Sequence, residues 1–291
     1  MEHHNGKPPV SLDDVRQRRA LLEAAWLRPR EPREHLLTPD ERAYFAKLQA
    51  GHPAHTEPNA LLPVAQLYLR DVPGLGGPKG ADLLQVLWCP LDHHNGLPAA
   101  RLVWRNAASI GKLLTDPPEP ADVEHYGNYV PEPCVLHPEV VTEYPAPHEL
   151  PKELADRLYD WGEEQEQEQE QEQEQEEDSE EGPGGTYYQY DLSVAPGWKV
   201  GGWGPWSFCD PWPMHCETCN APYKPLFTID SGEGGGGSGS WTPLKDLEKP
   251  SGPTGLCNPA DPPLVKIGRG YSMQIYVCPT SFDHQHLEVM Q

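Results

Sequence analysis

Thirty-five prolines and 27 glycines are spread along this chain of 291 residues, and they exclude long helices over most of it. Short apolar runs joined by extended loops are what remains. AQLYLRDV (65–72), DLLQVLWC (82–89) and ARLVWR (100–105) are rich in β-branched, aromatic and aliphatic residues and read as strands. The apolar run of the second predicts burial on both faces. Pro-Gly and Asn95-Gly96 in the connections are turn signals. Further strands are expected over 135–144, 186–192, 224–229 and 270–278, the last of these closing the strand series.

Helix signals are confined to three places. Ser11 with Asp14 resembles a capping box, Leu12, Val15, Leu22 and Trp26 share one face, and Pro29 ends the run. Thr38 suits an N-cap, Pro39 the first helical position, and Glu41 can reach back. Tyr44, Phe45 and Leu48 follow as its apolar face, and Gly51 is a stop. These two helices read as an accessory arm over residues 1–58, ahead of a β-rich domain over 59–291. Leu150, Leu154, Leu158 and Trp161 predict a third helix by their spacing.

That helix runs into a glutamate–glutamine repeat. Residues 163–181 hold twelve Asp or Glu. Glu and Gln are good helix formers, but Glu at alternate positions sets like charges at i,i+4. The composition predicts disorder over 163–185. SGEGGGGSGS opens a second insertion, a flexible Gly-rich loop over 231–262. Without the twelve acidic charges the net charge falls from −23 to −11. A chain this acidic is a poor partner for a phosphate backbone, so nucleic acid is not expected. MEHHNGKPPV lacks the apolar core of a signal peptide, and no window approaches a membrane span. A cytoplasmic protein with reduced thiols and no membrane contact is the expectation. Its seven cysteines then read as metal ligands or buried thiols, not as disulfides.

The densest chemistry lies in GWKVGGWGPWSFCDPWPMHCETCNAPYKPLFTI (197–229), with four of nine tryptophans and three of seven cysteines. Cys216-x-x-Cys219 in a tight turn supplies two thiolates along one edge of a tetrahedron, as zinc requires. Cys278 at the end of the last expected strand is the third candidate ligand, and His284 the fourth. His286, His215 and Cys209 are substitutes. No βαβ pattern surrounds the motif, which weakens a redox reading. A mirrored site in the first half would use His52-x-x-His55 with Cys89 and His93. Buried free cysteine is the competing account of Cys89. Cys134-x-x-His137 has the spacing of two ligands, and the sequence identifies no further ligand to join them. Trp198, Trp203, Trp206 and Trp212 read either as core or as an exposed platform, and the interleaved glycines favour core. No Ser–His–Asp order, phosphate loop or paired acidic motif marks a catalytic residue.

Two segments repeat a pattern. Leu84-Gln85-Val86-Leu87-Trp88-Cys89-Pro90, then Asp92-His93, parallels Met273-Gln274-Ile275-Tyr276-Val277-Cys278-Pro279, then Asp283-His284. A strand precedes each. The pattern reads as a duplicated strand–loop–strand unit within one α+β, mainly β domain.

KVGGWGPW, the Cys216/Cys219 pair, PYKPLFTI and a final strand ending in Cys-Pro resemble the YwqG-like bacterial family of unknown function. The same order more distantly resembles the N-terminal module of programmed cell death protein 2. The likeness spans residues 60–291 and is carried by 197–230 and 270–284. The first resemblance implies a mostly β, duplicated fold with no established activity, some of whose members sit near toxin–immunity loci. The second implies a chaperone-like grip on a partner. The glutamate–glutamine insertion and the helical N-terminus depart from both. The expectation is therefore a non-enzymatic, zinc-stabilised module that binds a protein, in an immunity-like role. A zinc-dependent hydrolase and a chaperone-like binder are the alternatives. Four protein ligands would speak for a structural metal, three plus water for a catalytic one.

Overall fold

The computed structural model describes residues 7–29, 31, 33–93, 96–173, 187–233, 241–242 and 261–291. Helix α1 (Leu12–Trp26) opens on the reciprocal box between Ser11 and Asp14. The Ser11 hydroxyl accepts from the Asp14 amide at 3.0 Å, and the Asp14 carboxylate accepts from the Ser11 amide at 3.2 Å. Helix α2 (Pro39–Leu48) opens on the matching box between Thr38 and Glu41. Both helices end as the sequence requires, α1 before Pro29 and α2 before Gly51, whose φ is +73°. Leu12 and Val15 of α1 belong to the main buried cluster. Val15 sits over Gly127, where an added Cβ would come within 2.6 Å of it.

The described residues also form two antiparallel sheets, so the chain is a mixed α+β fold. The first holds β1 (Leu62–Tyr68), β2 (Leu83–Cys89) and β3 (Ala99–Arg105) in that order. The second holds β4 (Lys199–Val200), β5 (Lys224–Asp230), β6 (Ser272–Val277) and β7 (Leu287–Met290) in that order. The β1–β2 register pairs Leu62 with Trp88, shifts between Pro63 and Ala65, and continues with Ala65 on Val86. The β5–β6 register pairs Lys224 with Val277, shifts between Pro225 and Phe227, and continues with Phe227 on Ile275. Each bulge follows a proline, which has no N–H to give the ladder. Every residue of β6 is buried, and β2 opens on two buried leucines, Leu83 and Leu84, before alternating half-buried with buried positions.

One hydrophobic cluster takes in both sheets, including Leu84, Val86 and Trp88 with Ile229, Met273 and Ile275. The seam between them is specific. The Ala100 amide of β3 donates to Glu288 of β7 at 2.6 Å. Trp104 of β3 meets Phe282 edge to face at 5.0 Å.

Four expectations from sequence are corrected. No strand forms over 135–144: prolines 133, 138 and 145 bracket and interrupt it, and Val135 and Val140 are left 80% and 83% exposed. The strand expected over 186–192 does not form over its described residues, 187–192. Tyr188–Ser193 forms a π-helical turn, because Asp191 folds back to accept from the Tyr187 amide at 2.6 Å. Helix α3 (Lys152–Gln173) continues into the acidic run where disorder was expected. Glu and Gln are good helix formers, which favours that extension of the helix. Residues 174–186, the remainder of that run, lie outside the described residues, as does most of the Gly-rich loop 231–262. Finally, β6 is not the last strand, since β7 pairs along it. Among the described residues no helix is long and apolar enough to cross a membrane.

Candidate metal centre

The Cys216–Cys219 turn is the tip of a short hairpin. His215 bridges Pro222, and the Tyr223 amide donates to the Met214 carbonyl at 2.9 Å. The Asn220 amide donates to the Cys216 carbonyl at 2.7 Å, and the Cys216 amide to the Ala221 carbonyl at 2.9 Å. Asn220 turns the chain at φ 57°, a left-handed conformation that asparagine tolerates. Both thiols of the turn are thereby held on one side, facing the end of β6.

Cys278 follows β6 directly, and His284 follows it on a tight turn. The four sequence candidates, Cys216, Cys219, Cys278 and His284, come together with their donor atoms all within 4.8 Å of one another. Cys219 Sγ lies 3.4 Å from Cys278 Sγ. His284 Nδ1 lies 3.4 Å from Cys216 Sγ and 3.3 Å from Cys278 Sγ. Zn–S bonds of ~2.3 Å and Zn–N bonds of ~2.1 Å put tetrahedral edges at ~3.6–3.8 Å, so a small expansion would admit the ion. Cys216 and Cys278 are buried, and Cys219 is at the surface. The Tyr223 hydroxyl ties the hairpin to the tail by donating to the Gln285 carbonyl at 2.7 Å.

The electrostatics favour thiolate at two of the three sulfurs. Desolvation opposes ionisation of Cys278. The amides of Ser281 and Thr280 and the His284 ring outweigh it and bring the thiol down to about 6. Cys216 is also lowered: desolvation is overcome by the amides of Cys219 and Thr218. At Cys219 the amide of Ala221 pulls the thiol down, but hydrogen bonding to Cys278 and burial win and raise it. His284 is raised chiefly by its hydrogen bond to Cys278.

The substitute ligands lie elsewhere. His286 pairs with Glu288 at 3.3 Å, the Cys209 thiol points to the Met290 carbonyl at 3.7 Å, and His215 is exposed. Neither Cys134 nor His137 joins a ligand group among the described residues. In the first half, His52 and His55 do come together, but with Asp122 in place of Cys89 and His93. Nothing in the sequence singles out Asp122 from the many other acidic residues.

The glycine-rich turn before the hairpin closes on a single carboxylate. Glu143 accepts from Lys199 Nζ at 2.8 Å, from the Ala195 amide at 2.8 Å and from the Trp203 amide at 2.5 Å. Gly202 sits at φ +77°, and a Cβ there would fall 1.9 Å from a Glu143 oxygen. The Lys-Val-Gly-Gly-Trp sequence is the cradle of that carboxylate. Burial pushes the Lys199 ammonium down, against the pull of Glu143. The tryptophans divide between the two readings. Trp206 is buried and Trp198 packs on Phe227 with centroids 5.9 Å apart, whereas Trp203 and Trp212 are 39% and 43% exposed.

No protein-family model, no curated protein and no solved structure matches the chain.

Proposed function

We propose that Cys216, Cys219, Cys278 and His284 hold a structural zinc ion, and that the chain is a protein-binding module and not an enzyme. The carrying observation is the convergence of four protein donors, three of them sulfur, on one point. Three thiolates and an imidazole select a borderline-soft ion such as zinc over magnesium or calcium. Four protein ligands leave a tetrahedral ion no open position for water, which separates this centre from that of a zinc hydrolase. The exposed rings of Trp203, Phe208 and Trp212, beside the hairpin in sequence, support a binding role. A protein partner of the immunity kind fits the resemblance to the YwqG-like family, and one of the chaperone kind the more distant resemblance to the N-terminal module of programmed cell death protein 2. The equal registers and equally placed bulges of β1–β2 and β5–β6 support an internal duplication.

The test is metal content against stability. Purified protein should retain about one tightly held zinc in this centre, seen by X-ray absorption as a sulfur-rich shell. Cys219→Ser should reduce that zinc and lower the thermal midpoint, because metal binding counts as folding energy where the unfolded chain has no site. Cys134→Ser should do neither. Equal zinc and equal midpoints in the two variants would overturn the proposal.

A further inference from the structure

His52 and His55 stand in the loop before β1 as Cys216 and Cys219 stand in the loop before β5. Cys89 ends β2 as Cys278 follows β6, but its surroundings differ. Burial pushes the Cys89 thiol up, and its neighbour is the Asn59 side chain. That side chain clamps the backbone of Asp122. Asn59 Nδ2 donates to the Asp122 carbonyl at 2.7 Å, and its oxygen accepts from the Ala121 and Asp122 amides at 2.9 and 3.3 Å. Asp122 is thus delivered to the two histidines, and its side chain is only 5% exposed. Asp122 Oδ1 lies 2.7 Å from His55 Nδ1 and 3.7 Å from His52 Nδ1, and Oδ2 accepts from the His55 amide at 2.8 Å. The two imidazoles meet edge to face with centroids 5.2 Å apart.

The backbone around this cluster is fixed. Val10 and Val123 bridge in both directions, at 3.2 and 2.9 Å, which anchors the residue after Asp122. The His52 amide donates to the Pro9 carbonyl at 3.0 Å. Gly51 makes that approach feasible, since a Cβ there would come within 2.7 Å of the Pro9 oxygen.

We propose that His52, His55 and Asp122 form a second metal site, for a borderline divalent ion such as Zn²⁺ or Co²⁺. Two imidazoles and one buried carboxylate are a zinc-type donor set, harder than the three sulfurs of the other centre. His52 Nδ1 lies 3.0 Å from the Pro53 carbonyl as well as 3.7 Å from the Asp122 oxygen that His55 shares, so loading would exchange the Pro53 contact for the metal. Loading would open the 2.7 Å contact between His55 and Asp122 toward the ~3.4 Å edge of a metal tetrahedron. The histidines are the exposed side of the group, at 27% and 55% of their side-chain surface. Three protein ligands leave one coordination position for water or a small anion, and it faces solvent. The site therefore exchanges its ion more readily than the closed thiolate centre does.

Cobalt distinguishes the two sites. Thiolate ligation gives Co²⁺ an intense near-ultraviolet charge-transfer band, and nitrogen–oxygen ligation gives only weak visible bands. The metal-stripped full chain, titrated with Co²⁺ and followed by equilibrium dialysis, should take up about two equivalents, the second without added charge transfer. His52→Ala and His55→Gln should each weaken that second equivalent by at least about tenfold and leave the charge-transfer band intact. Asp122→Asn, which keeps an acceptor for the His55 amide, should do the same. Uptake of the second equivalent unchanged in all three variants would overturn the proposal, as would a wild-type chain that takes up only thiolate-bound metal. A chain that binds one ion without charge transfer, and loses it on His52→Ala, would keep this site and refute the thiolate centre.

Discussion

Glu143 shows how one side chain fixes a turn. Its carboxylate and the Lys199 ammonium are 9% and 12% exposed, and two backbone amides complete the cage. Removing one partner of such a pair leaves a buried charge uncompensated, which costs about 3 kcal/mol. Glu143→Ala is therefore expected to lower unfolding free energy by roughly that amount in urea titrations. Pairing it with Lys199→Met should recover much of the loss, because the stranded charge is gone. A double variant no more stable than Glu143→Ala would show that the amide contacts, not the ion pair, hold the turn. The four thiolate-centre residues were legible in the sequence because Cys-x-x-Cys, a strand-ending Cys-Pro and a following Asp-His are local patterns. Glu143 and Asp122 were not. Each works across a long sequence separation, and a single acidic residue in an acidic chain carries no local signature.

The helices and central strands were legible for a different reason: their signals are periodic or punctuated. Both capping boxes form as their spacing requires. At α2 the box is reinforced by Arg28, whose guanidinium donates to both Glu41 oxygens at 2.7 and 2.8 Å. Arg28, then the Thr38 amide, pull the Glu41 carboxyl from its ordinary 4.5 to about 2. The folded value lies below the unfolded one. The contribution is thus fully present above pH 4.5 and fades as the pH falls toward 2. A carboxyl titration by NMR should place the Glu41 midpoint near 2, and Arg28→Ala should move it back toward 4.5. An unshifted midpoint in the wild type would mean that the exposed pair is open in solution. What was illegible at this scale depends on contacts made elsewhere. TYYQYDL has strand composition, yet Asp191 captures the Tyr187 amide and winds the segment into a wide turn. β7 is only four residues long and exists by pairing with β6, so its own sequence shows almost nothing.

The two sheets could in principle unfold separately, since each pairs only within itself. The packing argues otherwise. Leu84 and Val86 of the first sheet share a cluster with Met273 and Ile275 of the second, and Val10, Leu12 and Val15 join them from the N-terminal segment. Trp104 against Phe282 reaches the loop between Cys278 and His284, so the first sheet touches the segment that carries two thiolate-centre donors. A cavity in one sheet should therefore be felt at the other. Leu84 is fully buried, and Leu84→Ala should cost about 3 kcal/mol through lost transfer energy and an unfilled cavity. With Co²⁺ in the thiolate centre, heating reports the second sheet by loss of the charge-transfer band and the whole chain by circular dichroism. The two signals should vanish together in the wild type, and Leu84→Ala should lower both midpoints by the same amount. A charge-transfer band that melts at its wild-type temperature in Leu84→Ala, while the circular dichroism midpoint falls, would mean that the halves fold independently. The common cluster would then be a contact surface between two cores.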